Sequence, residues 1–167
     1  MALDATVGGA NANSYVTVEE ADSYFLERLH SGAWVTSTVK EAALITASRL
    51  LDWELVFSGS KALDAQAMQF PRSDLVLNDG TEVLSTIIPR EIKFATFELA
   101  LFSLSADRTA DNPLAGIEMA KAGPLAIKAT PAGYDSTASK VIPEHIRRML
   151  ADFIANGSIS VVRLVRA

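Results

Sequence analysis

The stretch Lys40-Glu-Ala-Ala-Leu-Ile-Thr-Ala-Ser-Arg-Leu-Leu-Asp-Trp-Glu54 decides the fold class. Leu44, Ala47 and Leu51 recur at three- and four-residue spacing, and Ala43 and Leu50 widen the stripe they make. That is the period of a helix with one buried face, and neither glycine nor proline interrupts it. Thr38-Val-Lys-Glu41 carries the spacing of a capping box, so the helix is expected to open there and run to about Glu54. Trp53, near its end, is placed to cover the edge of the core.

Toward the N-terminus, Thr17-Val-Glu-Glu20 is a second capping box, with two acids in the first turn to suit the helix dipole. It predicts a helix to about Leu29, stopped by Ser31-Gly32. Val18, Ala21, Phe25 and Leu29 would face inward, with Tyr24 at the margin. Tyr15-Val16 reads as a short extended entry. Residues 1–13, which include Gly8-Gly9-Ala-Asn-Ala-Asn13, read as a flexible arm or as one that orders on a neighbouring subunit.

Toward the C-terminus the helical period breaks at Ser58. Residues 58–72 read as loop with one helical turn near Asp64–Gln69, and Phe70 is expected to be extended before Pro71. Asn78-Asp-Gly80 between Leu75-Val-Leu77 and Thr81-Glu-Val83 signals a hairpin. Pro89 suits the first position of a third helix, apolar nearly all round and therefore central. A polar linker with Asp111-Asn-Pro113 follows, then two strand candidates, 116–121 and 125–130, and a polar loop over 130–140. Pro143 opens a fourth helix through about Ala155, with Ile146, Met149, Leu150 and Phe153 inward and Asn156-Gly157 as its C-cap.

Residues 158–167 carry Ile159, Val161, Arg163 and Val165 on one face of an extended strand and Ser160, Val162, Leu164 and Arg166 on the other. Neither face is cleanly polar, so the segment is made to be covered on both sides, within the monomer or by a partner. The fold expected is mainly α: about a four-helix bundle with a small β-hairpin element and extended N- and C-terminal segments. One domain spans 14–157, with the hairpin and loop inserted near 116–140.

Composition narrows the function. The chain has 167 residues, 49% of them hydrophobic, enough to bury a core. With 0 cysteines it has no disulfide, thiolate metal site or cysteine nucleophile. Its longest apolar run, Phe94–Leu104, is broken by Thr96, Glu98 and Ser103 and falls short of the roughly 20 residues of a membrane span. The start lacks the pattern of a signal peptide, so a soluble intracellular protein is expected. His30 and His145 have no ligand partner at helical spacing and read as structural; no metal or cofactor is expected. There is no phosphate-binding glycine loop and no Gly-x-Ser-x-Gly elbow, and no catalytic residue is expected.

The net charge is −5 and uneven. Residues 1–87 hold 12 acids and 5 bases, a net −7; residues 88–167 hold 8 acids and 10 bases, a net +2. A nucleic-acid binder concentrates bases in one patch, whereas here they are scattered. Tyr15, Trp34, Phe57, Phe70 and Tyr134 are the aromatics that helical faces leave free for base stacking, and none is interleaved with Lys or Arg. Phe70 beside Arg72 comes nearest and reads as a packed turn.

The segments Asn13-Ser-Tyr-Val16, Val18-Glu-Glu-Ala-Asp22, Trp34, Ala43-Leu-Ile-Thr-Ala-Ser-Arg-Leu-Leu-Asp52, Gln69-Phe-Pro-Arg72 and Ile88-Pro-Arg-Glu-Ile-Lys-Phe-Ala95 occur in one order. In that order they resemble the head-to-tail adaptor (head completion) proteins of tailed bacteriophages, which also carry the label of DnaT-like single-stranded DNA-binding proteins. The resemblance covers residues 13–105 well and 143–150 weakly. It implies a ring-forming structural subunit, commonly twelve to a ring. Such a ring sits between the portal protein and the tail or the stopper (neck) protein, and double-stranded genomic DNA passes through its lumen. The place implied is the virion neck, and the host cytoplasm during assembly. Residues 158–167, and in particular Ile159, Val161, Val162, Arg163, Leu164, Val165 and Arg166, are then expected to dock on the portal. Lys121, Lys128 and Tyr134 are expected to meet the lumen or the next ring. The rival expectation is a single-stranded DNA-binding protein of a phage replication system.

Overall fold

The computed structural model describes residues 2–107, 109, 119–122, 125–128 and 141–155. Within them the chain forms α1 (Val18–Glu27), α2 (Gly32–Val35), α3 (Lys40–Glu54), β1 (Ser60–Lys61), β2 (Arg72–Ser73), α4 (Arg90–Ser105), β3 (Met119–Ala122), β4 (Leu125–Lys128) and α5 (Glu144–Met149). The described fold is mainly helical, with two small antiparallel sheets, β1–β2 and β3–β4.

α4 is the centre. Ile92, Ala95, Thr96, Phe97, Glu98, Leu99, Ala100 and Leu101 are all buried on it, as a helix apolar on every side requires. α3 packs along it, with α2 and α5 also against it, and α1 lies on α3. The inner face of α3 is the one its spacing predicts: Ala43, Leu44, Ala47, Leu50 and Leu51 are buried. Two polar residues one turn apart on α3 hold the entry strand. Ser48 Oγ accepts from the Tyr15 amide at 3.1 Å, and Asp52 accepts from the Tyr15 hydroxyl.

The capping box Thr17–Glu20 is complete in both directions. The one expected at Thr38–Glu41 is absent. α3 opens one residue later, with Val39 at the cap position and no side-chain bond there, while Ser37 Oγ accepts from the Val39 amide. Lys40 in this register reaches Asp22 at 2.7 Å. α1 also ends earlier than expected. Arg28 turns extended and its guanidinium closes on Glu98 at 2.6 Å, which carries Leu29 out to solvent. Ser31-Gly32 does not stop α1 but begins α2.

Three further differences concern irregular chain. Residues 58–72 contain no helix; a single hydrogen-bonded turn, Gln66 N–H to the Leu63 carbonyl at 3.2 Å, stands near the expected helical turn, and Ser60 and Lys61 pair with Ser73 and Arg72. The Phe70–Pro71 peptide is cis. α5 is six residues long; residues 150–153 continue only as turns, with Leu150 and Ile154 still donating four residues back, and the chain then pairs with the Val56–Ser58 segment beyond α3. Ser58 donates to the Phe153 carbonyl at 2.9 Å and Ala155 to the Val56 carbonyl at 2.8 Å.

The turn at Asp79-Gly80 is present, with Val76 bridged to Glu82 and Gly80 at φ 86°. Met119 pairs with Lys128 and Ala122 with Leu125, so the two strand candidates pair, β3 reaching one residue beyond the expected 116–121. The glycine-rich start folds back on itself: Asn13 and Ser14 both donate to the Asp4 carbonyl, and Ala67 donates to that of Gly9. Asn156-Gly157 and residues 158–167 lie outside the described residues.

Candidate interaction surface

Four of the aromatics left free by pattern are buried. Tyr15, Trp34, Phe57 and Phe70 all join the core. Phe25 stacks on Trp34 at 4.7 Å, and Phe70 meets Tyr15, Phe57 and Phe153 edge-on. Tyr134 lies outside the described residues. Trp53, expected at the edge of the core, is 72% exposed and is the one fully exposed aromatic among the described residues. The Arg49 guanidinium sits 5.7 Å from its ring, one turn back on α3, the geometry of a cation–π pair.

Arg72 does form a packed turn. It is buried, and its guanidinium donates to the carbonyls of Ser58, Phe57, Gly59 and Gln69 and to the Gln69 side chain. Every arm of the fork faces backbone oxygen, so no donor is left to meet a phosphate. Beside it, Asp52 accepts from the Gln69 amide at 3.1 Å as well as from Tyr15. Burial pushes the Asp52 carboxyl up to about 6 and the Tyr15 hydroxyl well above its ordinary value.

A second polar cluster ties α1 to α4. Arg28 grips Glu98 with two nitrogens, at 2.6 and 2.7 Å, and the Tyr24 hydroxyl donates to the same carboxylate at 2.7 Å. Burial alone would raise Glu98, but the Arg28 and Tyr24 bonds outweigh it and hold the carboxyl below its usual range. Burial and the neighbouring Glu98 push the Tyr24 hydroxyl up to about 12. Both clusters are saturated internally and contain no nucleophile–base pair aimed at a cleft.

What the surface does offer is aliphatic. Leu26, Leu29, Val35 and Val39 stand between 56% and 87% exposed around the junction of α1, α2 and α3. Leu26, Val35 and Val39 border two open hollows that share Lys40. One, of about 560 Å³, lies between the first turns of α1 and α3 and is lined by Val18, Glu19, Val39, Glu41 and Ile45. The other, of about 280 Å³, is floored by Phe25 and Trp34 and flanked by Leu26 and Val35. Asp22 stands between them, held below the usual carboxylate range by hydrogen bonds from Lys40 and the Trp34 indole.

The apolar pattern does not disclose this patch, because it places Leu29 on the inner face of α1. The available signal was Leu26, which falls off the Ala21–Phe25 stripe of α1 by about 100°.

Of the residues expected to make contacts, Lys121 is on β3 opposite Ala126 and Lys128 is on β4 opposite Met119. Tyr134 and residues 159–166 are outside the described residues. His30 and His145 are both exposed, with the His145 ring 5.2 Å from Phe102. Among the described residues, no three His, Cys, Asp or Glu side chains gather as a metal site. No described helix is long and apolar enough to cross a membrane.

No curated protein and no solved structure matches the chain. A family model described as "Putative DnaT-like ssDNA binding protein" matches residues 1–167, its whole length. The chain therefore belongs to that DnaT-like family.

Proposed function

We propose that the chain is a structural subunit, a ring-forming head-to-tail adaptor that joins the portal to the tail or neck of a tailed bacteriophage and lines part of the DNA conduit. One observation carries this reading: Tyr15, Trp34, Phe57 and Phe70, four of the five aromatics left free by pattern, are spent in the core, while aliphatic side chains are left on the surface. Exposed aliphatic clusters of this kind mark protein contacts. The ordered motifs from Asn13 to Ala95 and the net charge of −5 point the same way, since a conduit must not grip phosphate.

A second reading, single-stranded DNA binding, is the one the family's description favours. Trp53 with Arg49 beside it supplies the stacking and cationic elements such binding uses.

One paired experiment separates the two. The protein is mixed with the portal protein encoded nearest to its gene and imaged by electron microscopy. In parallel, binding to fluorescent oligo-dT is followed at 50 and 200 mM salt. A ring on the portal, with little oligo-dT binding, is the expected result. Tight binding that falls steeply with salt and is lost in Trp53→Ala, without a ring, would replace the adaptor reading with the second one.

A further inference from the structure

The register of the β3–β4 ribbon sorts its residues onto two unlike faces. Residues directly opposite in an antiparallel pair share a face, and the faces alternate along each strand. Met119 opposite Lys128 and Lys121 opposite Ala126 therefore make one face, and Ala120 opposite Ile127 and Ala122 opposite Leu125 make the other. The second is wholly apolar, so it is the face the ribbon must cover, since two strands alone are marginally stable in water. The first holds both lysines. Residues 119–134 contain no acid, in a chain with 20 acids and a net charge of −5. Elsewhere Arg28, Lys40, Arg90, Lys93 and Arg148 each stand between 2.6 and 3.7 Å from a carboxylate.

We infer that the ribbon face carrying Lys121 and Lys128 is a contact for the phosphates of double-stranded DNA. The two lysines are diagonal neighbours on that face, positions roughly 7–8 Å apart. At about 3.4 Å of axis per phosphate, that distance spans about two phosphates of one strand. Duplex rather than single strand is the partner, because residues 119–128 contain no aromatic on which an unpaired base could stack. The inference rests on the conduit reading and gives the conduit a surface that meets the DNA. Two cations per copy keep the contact weak and labile to salt, so it guides a moving duplex without gripping it.

The chain's lack of cysteine allows a thiol-linked photo-cross-linker to be placed at one site. Ala126→Cys puts it on the lysine face, opposite Lys121, and Ser85→Cys puts it on an exposed turn as a control. Each full-length protein is irradiated with a fluorescent duplex of about 30 base pairs, or with oligo-dT, at about 50 and 200 mM salt. At the lower salt the Ala126→Cys protein is expected to cross-link the duplex roughly ten times more than the control, and about tenfold less at the higher, as two phosphate contacts require. Lys121→Gln with Lys128→Gln should bring the yield down to the control, whereas Lys121→Arg with Lys128→Arg should retain it. Duplex cross-linking at the control level, or unmoved by the glutamine pair, would overturn the inference. So would oligo-dT cross-linking as well as the duplex or better. Rings on the portal without the cross-link would sink the ribbon contact and leave the adaptor reading standing. The cross-link without portal rings would keep the contact and sink the adaptor reading.

Discussion

Asp52 is the residue at which the fold's cost is most visible. It is a carboxylate placed where Tyr15 and the Gln69 amide need an acceptor, in a site dry enough to raise its pKa to about 6. An acid whose folded pKa lies above its unfolded value near 3.8 binds more protons when folded. Its contribution to stability therefore grows as pH falls from above 6 toward 4 and is lost as pH rises through the folded value. Between pH 7 and pH 5 the gain is about 1 kcal/mol. In Asp52→Asn this rise should vanish, which urea unfolding of both proteins at the two pH values would measure. An equal rise in the variant would show that Asp52 is not its source. Glu98 and Asp22, both held low, act in the opposite sense: their contribution is complete above the ordinary carboxylate value and is lost as pH falls through it toward the folded one. The pairing of Tyr15 with Asp52 was not legible in the sequence, because the partners are 37 positions apart and neither belongs to a periodic pattern.

At the scale of elements, two Thr-x-x-Glu spacings that look alike in sequence behave differently. Thr17 accepts from the Glu20 amide at 3.2 Å and Glu20 returns a bond to Thr17, whereas Thr38 makes no cap bond on α3. Thr17→Ala should then cost about 1 kcal/mol and Thr38→Ala close to none, as compared by thermal unfolding. Equal losses would show that the Thr38 hydroxyl caps α3 after all. The helices α3 and α4 were readable because their apolar residues repeat over 15 and 16 positions. β1 and β2 were not, since two-residue strands have no period to detect. Helix ends were misplaced where a long-range bond took over: Arg28 with Glu98 at the end of α1, and Phe153 and Ala155 with the Val56–Ser58 segment after α5.

For the whole molecule, the division between two internally bonded polar clusters and an aliphatic rim has a measurable consequence. Leu26 is 87% exposed, so Leu26→Ser should leave unfolding stability within about 0.5 kcal/mol. The same change should weaken association between copies or with the portal, detectable by sedimentation. A loss of stability comparable to that of a core truncation would place Leu26 inside the fold and remove the case for a contact surface. The mainly helical class was legible from composition and period alone. The surface was not, because whether Leu29 or Trp53 faces in or out depends on where a helix stops, and packing decides that.

Arg72 has a different kind of implication, one for how this sequence can drift. Its guanidinium reads main-chain oxygens of residues 57, 58, 59 and 69, and only one of its bonds reaches a side chain. Substitutions in the loop leave those oxygens in place, except at Gly59, where φ is +75° and an added Cβ would stand 2.4 Å from the Ser73 carbonyl. Inserting or deleting one residue between 59 and 69 moves the 57, 58 and 59 oxygens out of step with that of 69. Among relatives, the loop should therefore vary in spelling while keeping its length.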